Sequence, residues 1–332
     1  MDGGRRDEGD ASTVGELGER AVLSRILRVL GGTSRAEVGP GDDAAVLAAP
    51  GGRVVVSTDT LVHGPDFRLA WSSGADLGWK AAAVNLADIA AMGARPVALF
   101  VALALPDDTE ARFVDELAQG LRDACDALAP GCAVEGGDLT ASDTLTIAVT
   151  VLGVLDGGDP VLRSGARPGD VVAVSGELGG AARGVALLFE RFRDASGVPT
   201  AIDAHALTEA ERADVTAQLR PTPPVRRGVE AARAGATAMM DVSDGLLLDA
   251  TRLADASGVT IDLDAGLDDD ALRGGEDHGL LACFPPGAVL PESFVLRGHV
   301  RERGAAPVTI AGTPVTGRLG WDPHRDWDAG RG

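Results

Sequence analysis

Apolar residues along the chain recur with two alternating periods, one helical and one strand-like. Over residues 16–30, Leu17, Val22, Ile26 and Leu30 fall near one helical face, and Gly31-Gly32 stop the pattern. Residues 53–57 read as a short buried strand. Residues 75–92 read as a strong helix, closed by Gly93 with Pro96 beyond, and 97–105 as a strand. A helix is expected over 108–128, with Asp107 or Asp108 as its N-cap. The β-branched run 144–155 reads as a strand that turns at Asp156-Gly157-Gly158.

The alternation continues beyond that turn. Strands are expected at 170–174, 237–240, 260–263 and 280–284, with a late hairpin over 308–316. Helices are expected at 179–193 and 244–257, and a third is opened by Pro221, Pro223 and Pro224 and runs to Ala234. Residues 194–208 read as a polar loop. Strands alternating with helices predict an α/β protein built of α+β layers in two lobes. The expected division is a tail over 1–15, an N-terminal lobe over 16–155, a C-terminal lobe over 156–321 and a tail over 322–332.

Composition narrows the functional classes. The 332 residues suit two ordinary domains, and 45% hydrophobic residues provide a sizeable core. Thirty Lys and Arg against fifty Asp and Glu give a net charge of −20. Such a surface repels phosphate backbones and anionic lipid, so neither nucleic acid nor a membrane is an expected partner. Lys80, the only lysine, is followed by Ala81, so no P-loop is present. Cys125, Cys132 and Cys283 form no C-x-x-C pair and read as reduced structural thiols. The start of the chain has no signal-peptide pattern, and a cytoplasmic protein is expected.

The acidic residues carry the chemistry. Five Gly- or Ser-containing segments set aspartates beside apolar runs: Gly41-Asp42-Asp43, Ser57-Thr58-Asp59-Thr60, Asn85-Leu86-Ala87-Asp88, Gly136-Gly137-Asp138 and Asp241-Val242-Ser243-Asp244-Gly245. A carboxylate in an apolar setting must be paired or must bind a cation. With a single lysine, a metal is the better partner, and oxygen-only donors suit Mg²⁺ or Ca²⁺. Taken singly, Asp43 reads equally as a turn residue, Asp138 as an Asx-turn residue and Asp244 as a helix N-cap. Together they suggest several metal ions around a polyphosphate, with glycine loops donating N–H groups. Gly39–Ala44 matches G-x-G-x-x-A, but Pro40 and two adjacent negative charges argue against a dinucleotide there. Arg163 and Arg167, beside a Gly turn, offer forks for a phosphate or simply a charged surface loop.

These segments resemble thiamine-monophosphate kinases, within the aminoimidazole-ribonucleotide-synthetase-like superfamily, from about residue 15 to 321. The marks are GDDAAVL (41–47), STDTLV (57–62), KAAAVNLADIAAMGA (80–94), GGD (136–138), RSGARPGD (163–170), DVSDGL (241–246) and GGED (274–277). The resemblance implies a two-lobed fold whose N-terminal lobe binds ATP and Mg²⁺ and pairs with a second copy through its strands. It implies ATP as co-substrate, several Mg²⁺ ions, and thiamine monophosphate as the phosphoryl acceptor. Asp43, Ser57, Thr58, Asp59, Asp88, Asp138, Asp241 and Asp244 match its metal ligands. Gly137, Asp138, Arg163 and Ser243 match its ATP contacts. Asp66, Glu276 and Trp321 match its acceptor contacts; Asp66 stands where the family often has His, and Trp327 is the alternative to Trp321. No catalytic nucleophile or base is expected, because the acceptor phosphate is already an oxyanion. The rivals are another ATP enzyme of the superfamily and a non-catalytic acidic binding protein. The first cysteine comes as late as Cys125 and none follows Cys283, which disfavours the cysteine-dependent branches.

Overall fold

The structure, a computed structural model, describes residues 45–49, 52–106 and 108–322. The expected helix over 16–30, both tails apart from residue 322, and Asp43, Asp107 and Trp327 lie outside the described residues.

The N-terminal lobe contains β1 (Ala45–Ala49), β2 (Gly52–Val62), α1 (Gly74–Ala91), β3 (Arg95–Leu105), α2 (Ala111–Leu128), β4 (Ala133–Ala141) and β5 (Thr146–Val154). Its five strands run in the order β1-β2-β5-β3-β4, antiparallel except for the parallel edge pair β3–β4. Ser73 and Asp76 form a capping box that starts α1. Gly93, at φ +70°, ends it and donates back to the Ala90 carbonyl. Fourteen of the eighteen α1 residues are buried. A helix apolar all round belongs inside, and its run of alanines allows close neighbours on every side. A Cβ on Gly78 would stand 2.0 Å from the Leu117 carbonyl oxygen, so α2 packs almost backbone to backbone with α1.

The C-terminal lobe contains β6 (Val171–Ser175), α3 (Gly180–Arg191), α4 (Glu209–Leu219), α5 (Val225–Arg233), β7 (Ala238–Val242), α6 (Leu246–Ser257), β8 (Thr260–Leu263), α7 (Asp269–Arg273), β9 (Gly279–Phe284), β10 (Val295–Arg301), β11 (Val308–Ile310) and β12 (Thr313–Pro314). Its seven strands run β12-β11-β8-β10-β6-β9-β7. Alternation along these strands divides the interior. Ala173, Met239, Leu280 and Ala282 join the core around α1, whereas Val172, Met240, Leu281 and Cys283 face the core under α6. One hydrophobic core therefore spans both lobes. Polar ties reinforce it: Trp79 Nε1 donates to the Pro221 carbonyl at 2.8 Å, and Arg220 pairs with Asp76.

Several sequence expectations change. β2 runs through 57–60, so the STDT segment lies within a strand. Residues 133–141 form a strand rather than a Gly-rich loop, although Gly and Asp disfavour strands. The α2 N-cap is Glu110, without a side-chain bond, so Asp108 does not cap it; the α6 N-cap is Gly245, not Asp244. β10 and α4 are additions. All three cysteines are free and buried. Among the described residues no helix is long and apolar enough to cross a membrane.

A Cβ on Gly228 of α5 would lie 2.0 Å from the Ala90 carbonyl oxygen of α1. Helix propensity alone favours Gly228→Ala by about 1 kcal/mol. The clash is with backbone, and overpacking of this kind costs about 1–3 kcal/mol. Gly228→Ala is therefore expected to lower the thermal midpoint, and an unchanged or raised midpoint would show that the two lobes part easily here.

Candidate active site at the lobe boundary

α1, β2 and two loops of the C-terminal lobe bring the acidic segments together. On β2, Val55, Ser57, Asp59 and Leu61 alternate onto the α1 side, and Ser57 Oγ donates to Asp88 Oδ2 at 2.6 Å. The end of β7 carries Asp241, and the loop after it carries Ser243 and Asp244. The loop before β9 carries Glu276, Asp277 and His278. These two loops are pinned to each other, since Glu276 N donates to the Ser243 carbonyl and His278 N to the Val242 carbonyl. Gly275 is required there, because a Cβ would come within 2.3 Å of the Ser243 carbonyl oxygen. Glu276 and His278 both adopt positive φ, at 74° and 53°. Such conformations cost energy in non-glycine residues and cluster at functional sites.

The electrostatics of the cluster are those of crowded carboxylates. Asp59 opens to the cleft, yet its walls strip enough water to raise the Asp59 carboxyl; Thr60 N–H and His278 oppose that, and Glu276 and Asp241 add to it. Asp66 is raised to about 6, first by burial and then by Glu276 and Asp59, against the Val62 N–H and Lys80. Burial would raise Glu276 too, but the charges of Lys80 and His278 outweigh it and hold the carboxyl low. His278 Nδ1 lies 3.0 Å from Asp241 Oδ2. Burial would lower the imidazole; the bond to Asp241 and the charges of Asp241 and Glu276 raise it instead. Asp244 pairs with Arg252 at 2.6 Å, and the same guanidinium reaches the fully buried Asp249 at 2.7 Å. Burial and the nearby Asp244 push Asp249 up to about 8.

Asp66, Glu276 and Trp321 line one cavity of about 490 Å³, together with Ser243, Lys80 and Trp71. Trp321 is fixed by its N–H to the Asp244 carbonyl at 2.8 Å, and Arg318 stands over its ring at 5.6 Å.

Other candidates lie elsewhere. Thr58 points to the opposite face of β2 from Asp59, where its hydroxyl donates to the Val149 carbonyl and accepts from Thr150. Asp138 pairs with Ala102, Ala102 with Ala148, and Ala148 with Thr60. Directly paired residues share a face, so Asp138 lies on the Thr60 side of the sheet, away from Asp59 and Asp88. It is also three strand spacings distant, roughly 14 Å. Within one chain, Asp138 is therefore not brought together with Asp59 and Asp88. Gly137 lies on the same edge strand. The Arg163 backbone stands by the start of β7, where its carbonyl accepts from Ser257 Oγ, while Asp241 is near the end of that strand.

Sequence reasoning missed Lys80, His278, Arg252 and Asp249 as members of this network. His278 follows GGED directly, which was a usable signal. Asp249 and Arg252 read as ordinary residues of a helix. Asp277 also went unassigned; it accepts from Gly179 N and Ala181 N and so fills the N-terminus of α3.

Among the described residues no group of three Asp, Glu, His or Cys side chains is placed to hold a metal ion. One or two hard carboxylates per ion nevertheless fit Mg²⁺, whose remaining positions go to phosphate oxygens and water.

Comparisons with known proteins agree with this architecture. Residues 41–155 match the N-terminal domain, and 167–291 the C-terminal domain, of AIR synthase related proteins. The chain is 41% identical to the thiamine-monophosphate kinase of Mycobacterium tuberculosis, covering 96% of this chain and 95% of the relative. It is 42% identical to that of Corynebacterium glutamicum, with coverage of 82% and 83%. A solved structure of AaThiL complexed with AMPPCP and TMP superposes with a TM-score of 0.80 at 30% identity, covering 94% and 99%. The Escherichia coli hydrogenase maturation protein HypE shares the fold at 19% identity and a TM-score of 0.58.

The crowding around Asp66 has a measurable consequence. Carboxyl-resolved NMR is expected to find Asp66 titrating near 6, and Glu276→Gln to lower that value by removing a like charge. Titration at the ordinary 3.8 would contradict the enclosure described here.

Proposed function

The chain belongs to the thiamine-monophosphate kinase family, with both AIR synthase related domains in order, and from that premise we propose that it transfers the γ-phosphoryl group of ATP to thiamine monophosphate, giving ADP and thiamine diphosphate. The observation that carries this reading is the cavity at the lobe boundary. It presents Glu276 and Asp66 as carboxylates and Trp321 as an aromatic surface, beside the acidic cluster of Asp59 and Asp241. Thiamine monophosphate is a cation at its thiazolium and an anion at its phosphate. Glu276 and Asp66 attract the cation, and Trp321 adds cation–π attraction on the ring face not taken by Arg318.

The acceptor phosphate needs no base, so the work of this chain is placement. Trp321 and Glu276 hold the thiazolium end and leave the phosphate toward the acidic cluster. Ser243 and its loop, fixed by Gly275, border the meeting point of the phosphates. Asp59, Asp88 with Ser57, and Asp241 would hold Mg²⁺. An ion held by these residues would supply positive charge against the negative charge that develops on the phosphates. Asp244 stands beside them, shared with Arg252.

We place a second copy on the uncovered face of the N-terminal sheet. Phe100 is exposed there at 40%, and on the adjoining edge strand β4 Val134 and Leu139, whose partners Leu99 and Leu103 face α1, are exposed at 42% and 65%, more apolar surface than an edge strand normally leaves to water. Gly137 and Asp138 belong to that edge, and we assign their phosphate and metal roles to the paired state rather than to one chain. We also place the protein in the cytoplasm, where its three buried thiols stay reduced.

Incubation with ATP, Mg²⁺ and thiamine monophosphate, followed by chromatography, is expected to show ADP and thiamine diphosphate in equal amounts. ADP with inorganic phosphate alone would sink the reading. Trp321→Ala is expected to raise the KM for thiamine monophosphate roughly 2- to 30-fold, from a cation–π contribution of about 0.5–2 kcal/mol. The KM for ATP should hardly move. Equal changes in both constants, or a lower thermal midpoint with unchanged kinetics, would make Trp321 a structural residue.

A further inference from the structure

Lys80 is the chain's only lysine, and the function argued above leaves it without a role. It lies on α1 and is 3% exposed. A free ammonium in this cavity would repel a thiazolium, so its surroundings decide what it does. Three acceptors surround its three protons. One is the Gln218 backbone carbonyl, at 3.2 Å. The second is the Gln218 side-chain oxygen, at 3.3 Å in the amide orientation that also lets the Gln218 nitrogen donate to the Ala181 carbonyl. The third is Glu276 Oε2. All three belong to the C-terminal lobe, while Lys80 belongs to the N-terminal lobe. No proton is left over for a phosphate. The pair is also lopsided, because the Lys80 side chain is 4% exposed and that of Glu276 is 44%. The ammonium is sealed in, and the carboxylate opens to the cavity.

We infer that Lys80 is a positioning residue for acceptor recognition: clamped by Gln218, it fixes the Glu276 carboxylate in the cavity wall at the place where it meets the cation of the acceptor. Without Lys80, Glu276 would stand at a positive-φ position among Asp59, Asp66, Asp241 and Asp244 with only His278 to balance it. It would swing away from those charges or take up a proton, and either change removes the partner of the thiazolium. The inference rests on thiamine monophosphate being the acceptor. It goes beyond that in giving the lysine an effect on one substrate alone.

Calorimetric binding of thiamine monophosphate, and separately of ATP with Mg²⁺, to the wild type, Lys80→Met, Glu276→Gln and the double variant tests it. Each single substitution is expected to weaken thiamine monophosphate roughly tenfold or more, the effect of losing a charged hydrogen-bonding partner. ATP binding should stay within about twofold, a shift under 0.5 kcal/mol. The double variant should bind no more weakly than the weaker single variant, because Lys80 acts only through Glu276. If Lys80→Met does not fold, Lys80→Gln, which keeps a polar head toward Gln218, takes its place in the same cycle. Additive losses, equal losses for ATP, or a lower thermal midpoint with unchanged acceptor affinity would overturn the inference while leaving the reaction intact. A wild-type protein that fails to bind thiamine monophosphate would overturn the reading of function, and this inference with it.

Discussion

The burial of α1 between two sheets is the constraint on which the rest depends. Neither lobe has a private core around it: Leu86, Ile89 and Met92 share one apolar cluster with Ala173, Met239, Leu280 and Phe284 from the C-terminal lobe. Alanines at 81–83, 87, 90 and 91 keep the helix thin enough for β2, β5, α2, α5 and β7 to approach it together. Each polar residue on such a helix must be satisfied locally or used. Lys80 reaches the far lobe, Asn85 donates to the Ala81 carbonyl one turn back, and Asp88 takes the Ser57 hydroxyl. On the proposed reading the two ends of this polar series, eight residues apart, would serve the acceptor side and the metal side of the cleft.

The cleft collects more negative charge than its surroundings can neutralise. Asp59, Asp66, Asp244 and Asp249 all have raised carboxyls, with burial the leading cause each time. Arg252 and His278 offset part of this by direct contact with Asp244, Asp249 and Asp241. The remainder is a standing demand for cations. On the proposed reading, that demand accounts for how a protein of net charge −20 would handle polyphosphates, with metal ions and a cationic acceptor as the complementary charge. It also explains the strained loop before β9. Positive φ at Glu276 and His278 is a cost that the fold carries to bring a carboxylate and an imidazole from one short loop to opposite lobes' charges.

Much of this was legible in the sequence, for physical reasons that differ by element. The α1 helix was evident because an unbroken apolar run closed by Gly93 has few other solutions. The alternation over 144–155 and 308–316 gave β5 and the β11–β12 hairpin. Glu276, Trp321 and Asp66 were reachable only through the resemblance, since nothing local says that residues 66, 276 and 321 share a cavity. Other elements resisted local reading. The β4 strand is written with Gly136, Gly137 and Asp138, and only its parallel pairing with β3 makes it a strand. β10 carries Gly298 and a register shift between Leu296 and Gly298, which breaks the period of two. Asp249 and Arg252 look like an ordinary i,i+3 surface pair until the fold buries one of them completely.

Contiguity in sequence also misled in one instructive way. Ser57, Thr58 and Asp59 match one contiguous run of metal ligands by resemblance, but a strand sends neighbours to opposite faces. Ser57 and Asp59 face α1 and the cleft, whereas Thr58 and Thr60 face the open side with Ala148, Phe100 and Asp138. The segment therefore serves two surfaces at once, separated by the thickness of a sheet. A carboxylate such as Asp138 cannot cross that thickness by side-chain rotation. Any contribution it makes to phosphate chemistry must come round the sheet edge or through a second chain laid against the open face. Phe100, exposed on the open face, favours the second route, because apolar surface gains by being covered and gains nothing by a strand swinging out into water.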